Sequence, residues 1–124
     1  MNGINFLIDT DILVYIIQGN PNVKYFAQED TLVISCVSEM EMLGKFQISD
    51  TEKKIVTQML SYCNIIEINH KIKQLAIEIR QKYRIKLPDA LVAATAMQQS
   101  LTLVTADKEF SKISELDLLL INLF

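Results

Sequence analysis

The sequence predicts an α/β domain built on a parallel sheet. Short apolar runs alternate with longer stretches of helical periodicity, and the runs lack the period-two pattern of a strand with one wet face. With 124 residues the chain is long enough for one domain with a core of its own. Strands that are apolar throughout need cover on both faces, which crossover helices provide.

Taken in order, residues 4–8 form a continuous apolar run closed by Asp9-Thr10-Asp11, the pattern of a buried strand. Residues 12–18 are expected as a helix that Gly19-Asn20-Pro21 stops, and residues 21–28 as a second, short one with Pro21 in its first turn. Residues 31–35 give the second strand and lead into a helix over about 38–46. Ser49 or Asp50 caps the next helix, which runs to about Tyr62 with Ile55, Val56, Met59 and Leu60 on one face. Residues 65–68 are the third strand. Residues 70–83 follow as an amphipathic helix with Ile72, Leu75, Ala76 and Ile79 at helical spacing. Pro88 opens a helix to about Gln99, residues 101–105 make strand four, 108–113 a short helix and 118–121 a last strand.

Half of the residues are hydrophobic, slightly more than an ordinary globular chain carries, so part of that surface is expected to meet a partner. The start of the chain has no basic leader region, and Asp9 and Asp11 interrupt its apolar stretch. No run reaches the roughly 18–20 apolar residues that span a bilayer. Cys36 and Cys63 lack metal-ligand spacing and sit among apolar neighbours, so they read as buried free thiols of a protein in a reducing cytoplasm. The net charge of −3 speaks against a nucleic-acid substrate unless bound cations reverse the charge locally.

In parallel sheets ligands bind beyond the carboxyl ends of the strands. Asp9 ends strand one, Asp107 follows strand four, and Glu41 lies one turn beyond Ser38 after strand two. Asp89 sits in the first turn of the helix opened by Leu87-Pro88. Each alone reads as an ordinary helix-start residue favoured by free N–H groups and the helix dipole. Four carboxylates gathered at one sheet edge repel one another, and a divalent cation is the usual compensation. Oxygen ligands without His or Cys select Mg²⁺ or Mn²⁺ over zinc.

The strings LIDTDILVY, ISCVSEMEML, LPDALVAATA and LVTADKEF, in that order, resemble the four signature segments of PIN domains. Within that family they are most similar to the VapC-type toxins of toxin–antitoxin pairs. The resemblance runs from Phe6 to about Phe110, nearly the whole chain. It implies a PIN-like three-layer α/β/α sandwich with a central parallel sheet of four to five strands, a single domain over residues 1–124. It also implies a metal-dependent endoribonuclease in which Asp9, Glu41, Asp89 and Asp107 hold Mg²⁺ or Mn²⁺. Thr105 would orient Asp107 or a water on the metal, with Thr10 and Ser38 as hydroxyls behind the ligands. Asp11 departs from the small polar residue, often Asn, of many relatives, and is read as the cap of the first helix. Glu109 is read as a solvated helix residue. The implied reaction is metal-assisted hydrolysis of an RNA phosphodiester without a covalent enzyme intermediate.

Other residues have bland readings beside functional ones. His70, the one histidine, reads as a capping or surface residue. Arg80, Lys82, Arg84 and Lys86 surround Tyr83; they suit a helix C-terminus, or they hold RNA phosphates beside the acids with Tyr83 stacking on a base. Ile12, Leu13, Val14, Tyr15, Ile16 and Ile17 make the first helix apolar nearly all round, more than one core face needs. In similar proteins an antitoxin peptide and a second toxin protomer cover such surfaces.

Rival classes fit less well. A phosphoacceptor receiver module needs an Asp at the end of strand three and a Lys after strand five; here strand three ends Ile66-Glu67-Ile68-Asn69 and nothing basic follows residues 118–121. A phosphatase of the haloacid dehalogenase kind would use Asp9-Thr10-Asp11, but Ile12-Leu13 stands where such enzymes continue with Gly-Thr, and they need a longer chain. A PIN fold that binds RNA or protein without catalysis is the remaining alternative, against which stand all four acids.

Overall fold

The computed structural model describes residues 5–27 and 32–123. Five short strands, β1 (Phe6–Ile8), β2 (Leu32–Ser35), β3 (Cys63–Ile66), β4 (Thr102–Thr105) and β5 (Leu118–Leu120), alternate with helices. The helices are α1 (Thr10–Ile17), α2 (Lys24–Ala27), α3 (Cys36–Leu43), α4 (Asp50–Ser61), α5 (His70–Lys82) and α6 (Leu87–Gln98). Two 3₁₀ turns, Pro21–Val23 and Lys108–Lys112, complete the order. Every recorded strand pair is parallel: β4 pairs with β1 and β5, and β2 with β3. The two sets meet where β1 lies against β2.

Alternation along the strands divides the core in two. Leu7 and Leu103 face one cluster with Ile72, Ala76 and Ile79 of α5 and the alanine-rich side of α6. Ile8 and Val104 face the other, with Ile12 and Leu13 of α1, Met42 of α3 and Leu60 of α4. Leu32 and Ile34 of β2 belong with Ile8, and Val33 packs on the side of Leu7. Successive side chains on opposite faces, both covered by helices, make this a three-layer α/β/α sandwich. Leu7, Leu103 and Val104 are fully buried, as expected for strands covered on both faces, whereas Leu119 and Leu120 of edge strand β5 are exposed.

Local chemistry sets the helix ends. Gly19, at φ +74°, turns the chain out of α1 where an L side chain would be strained. Ser49 caps α4, its Oγ accepting the Glu52 N–H at 3.0 Å, and Asn69 caps α5 by accepting the Ile72 N–H at 2.8 Å. His70 follows that cap and is exposed, so its surface reading holds and its capping reading does not.

Several boundaries differ from expectation. The third strand is Cys63–Ile66, two residues early, because the chain passes from the α4 C-cap at Tyr62 directly into β3. Ile68 packs against the core from the loop that follows. Helix α3 starts at Cys36 because Ser35 already caps it, accepting the Val37 N–H at 3.0 Å. Cys36 is buried and free, while Cys63 is free but only half-buried. The expected strand and helix positions at residues 4, 28 and 31 lie outside the described residues.

Phe110, fully buried in the turn after Asp107, anchors the acidic segment to the core. Phe110→Ala is expected to cost about 3–5 kcal/mol of folding stability, read as a lower denaturant midpoint at unchanged m-value.

Candidate functional site

The carboxyl ends of β1 and β4 lie side by side, since Ile8 pairs with Val104 and the Asp9 N–H donates to the Val104 carbonyl at 2.9 Å. Asp9 and Thr105 are thereby brought together across most of the chain. The fully buried Thr105 hydroxyl donates to Asp9 Oδ2 at 2.7 Å and accepts the Asp107 N–H at 3.0 Å. Asp9 Oδ1 accepts the Thr10 N–H at 2.9 Å, so Asp9, in extended conformation, caps α1. Asp107 caps the following 3₁₀ turn, its Oδ1 accepting the Glu109 N–H at 2.9 Å.

Asp11 is therefore not the cap expected from the sequence. It stands in the first turn of α1, and its Oδ2 accepts the Ala106 N–H at 3.1 Å. Its contact with the Thr105 hydroxyl is 3.5 Å, too long to compete with the bond to Asp9. Its other oxygen, Oδ1, is buried without a hydrogen-bond partner.

A second group of side chains reaches the site from α3. Thr10 Oγ1 lies 2.8 Å from the buried Ser38 Oγ and 2.7 Å from Glu41 Oε1. One hydroxyl proton serves one acceptor at a time, so Thr10 and Ser38 form a small relay that holds the exposed Glu41 toward α1. Asp89 enters from the first turn of α6, and the charges of Asp107 and Glu41 act on it.

Burial, then like charge, sets the electrostatics. Burial pushes the Asp9 carboxyl up to about 6, helped by the Asp11 and Asp89 charges and opposed by the Thr105 bond. Asp11 is raised by burial and, less, by Asp107; Asp89 by burial, then Asp107 and Glu41, with Lys86 pulling the other way. Among the described residues no three His, Cys, Asp or Glu side chains stand close enough to enclose an ion unaided. The donors nevertheless fit a hard divalent cation. All are oxygens, and their mutual repulsion calls for positive charge.

The basic residues divide. Lys82 pairs with Glu115 at 2.8 Å, and the Tyr83 hydroxyl donates to the same carboxylate, which Lys82 and Tyr83 hold down to about 2. Lys82 and Tyr83 are thus committed to the loop before β5, an arrangement that neither sequence reading of them anticipated. Arg80 Nε donates to the Ile85 carbonyl at 3.3 Å. Arg84 and Lys86 are exposed, and Lys86 acts on Asp89. Sequence reasoning also missed Lys112, which donates to the Arg84 carbonyl at 3.2 Å and pairs with Glu109 at 2.6 Å. Glu109 is exposed and pairs with Lys112 within its own turn, while Lys112 makes the contact to the Arg84 segment.

The PIN domain model matches residues 6–116, nearly the whole described chain. The chain belongs to the PIN domain family. A toxin–antitoxin complex from Klebsiella pneumoniae contains a similar chain, 33% identical, with a TM-score of 0.76 over 90% of this chain and 95% of that one. VapBC2 from Rickettsia felis, bound to a DNA fragment from its promoter, matches at 26% identity and TM-score 0.80 over 96% of this chain and 100% of that one. DNA-bound VapBC from Salmonella typhimurium shares the fold, with a TM-score of 0.83 at 19% identity over 94% and 98% of the two chains. No curated protein sequence matches. Among the described residues of this PIN domain no helix is long and apolar enough to cross a membrane.

Asp9 holds its proton more tightly folded than unfolded, so its ionisation opposes folding. The metal-free PIN domain is expected to lose stability as pH rises from about 4 to about 6, by up to about 3 kcal/mol from this group. Asp9→Asn should flatten that slope in urea melts at stepped pH.

Proposed function

We propose that this PIN domain is a metal-dependent endoribonuclease and the toxin of a toxin–antitoxin pair. The observation that carries the reading is the Thr105 hydroxyl joining Asp9 to the Asp107 backbone, beside Asp89, at the carboxyl edge of the sheet. Asp9, Asp89, Asp107 and Glu41 would hold Mg²⁺ or Mn²⁺. Bound there, such an ion supplies charge to offset the carboxylates and the scissile phosphate, and polarises the P–O bond. Thr105 and the backbone amides fix the Asp9 and Asp107 oxygens in place. Asp89 makes no side-chain hydrogen bond among the described residues, which leaves its carboxylate available to take a proton from the attacking water. Arg84 and Lys86, exposed just before the Asp89 turn, are the cations placed to hold RNA phosphates. Lys82 is withdrawn from that role by Glu115.

An antitoxin is the proposed partner. The complexes from Klebsiella pneumoniae and Rickettsia felis support it, and so does a groove of about 440 Å³ lined by Val14, Ile17, Met42, Ile55 and Val56. This groove accounts for the apolar residues on the outer side of α1, and Thr10 and Glu41 at its rim join it to the acidic site. A second copy of the chain is proposed for the exposed apolar surface of Met40, Ile77 and Leu87. The cytoplasm is the proposed compartment, on the strength of two free cysteines.

The direct test is cleavage of a pool of structured RNAs by partner-free protein. Cleavage with Mg²⁺ or Mn²⁺ is expected to stop in EDTA and to fall on the order of 10²-fold or more in Asp89→Asn. Undiminished cleavage in EDTA would sink the metal reading, and no cleavage by folded, metal-supplied protein would favour a PIN fold that binds without cutting. Arg84→Ala with Lys86→Ala should raise KM and flatten its salt dependence, whereas Lys82→Ala should leave KM unchanged.

A further inference from the structure

We infer that Asp11 is a positioning residue that clamps the start of α1 to the segment carrying Asp107, and so sets the spacing of the metal-holding carboxylates. The inference rests on the metal reading proposed above. Asp9 and Asp107 are held by Thr105 from one side, through Oγ1 bonds of 2.7 and 3.0 Å. A hydroxyl can rotate, so this bridge does not by itself fix the orientation of the Ala106 peptide, although Phe110 anchors the segment further along. The second fastening is Asp11 Oδ2, which accepts the Ala106 N–H at 3.1 Å. Ala106 lies between the two residues of the Thr105 bridge, so the clamp fixes the peptide that aims Asp107 into the site.

The choice of acceptor has a cost. A half-buried carboxylate with one enclosed, unpartnered oxygen and the Asp107 charge acting on it is destabilising beside a neutral acceptor of the same shape. What the structure uses is the acceptor oxygen, and an amide side chain supplies that equally well. Charge is then incidental to the role and geometry essential. The two possibilities separate cleanly, because Asp11→Asn keeps an acceptor and removes the charge, while Asp11→Ala removes both.

The experiment is Mn²⁺ binding by isothermal titration calorimetry to the partner-free protein, with metal-free thermal melts of each variant alongside. Asp11→Ala is expected to weaken Mn²⁺ binding about 10–100-fold, the usual effect of removing a residue that orients a ligand. Asp11→Asn should bind within about threefold of wild type, and that rescue distinguishes an acceptor from a charge. Wild-type affinity in Asp11→Ala would overturn the inference, as would an Asn variant as impaired as the Ala one. If Asp11→Ala does not fold, amide hydrogen exchange decides: Ala106 should be protected in wild type and Asp11→Asn, and an unprotected Ala106 in wild type overturns the clamp. Wild-type protein that binds no Mn²⁺ would overturn the metal reading and this inference together; binding that Asp11→Ala leaves intact overturns this one alone.

Discussion

Thr105 has one hydroxyl proton to give, and in a fully buried position it gives it to Asp9 while its oxygen receives the Asp107 N–H. A hydrogen bond to a charged group is worth roughly 1.5–3 kcal/mol, and here it also offsets part of what burial costs the Asp9 carboxylate. The β1–β4 register makes this bond possible by setting Ile8 opposite Val104, which puts the two strand ends level. The register follows in turn from Leu7 and Leu103 needing one face of the sheet while Ile8 and Val104 need the other, since a slip by one residue would reverse both. Packing of apolar side chains on two faces thus determines where the carboxylates stand.

That arrangement places repulsion where folding would rather have none. Asp9, Asp11 and Asp89 are all raised, each first by burial and then by neighbouring acids. The fold tolerates it because each carboxylate of the β1–β4 edge has backbone N–H donors to itself, at Thr10, Ala106 and Glu109. Such concentrated strain at one edge of an otherwise apolar, well-packed sandwich is what a site of chemistry looks like in energetic terms.

Much of this was legible in the sequence. Continuous apolar runs named all five strands and the layer order, because burial on both faces leaves a compositional mark that needs no knowledge of the partner strand. Asp9, Glu41 and Asp107 were visible because they follow strand ends, and Asp89 because it stands in the first turn of the helix opened by Leu87-Pro88. Relations between distant residues were not. Asp9 and Asp11 both flank Thr10 and either suits a cap; the extended backbone of Asp9, held by Val104, decided it. The acid nearest Lys82 in sequence is Glu78, one turn back on α5, yet its partner in the fold is Glu115, from a loop 33 residues on. The third strand was placed two residues late because Ile68 is apolar enough to read as strand, yet it packs from a loop.

Thr105 and Asp9 stand 96 residues apart in sequence, and Asp89 and Asp107 also come late. No N-terminal portion of the chain that stops before Thr105 can build the acidic edge, however well β1 to β3 have begun to pack. During synthesis the site therefore comes into being only once β4 has left the ribosome and inserted beside β1. Whatever chemistry the four carboxylates carry out is thus withheld for most of the chain's manufacture, with no inhibitor needed for that interval.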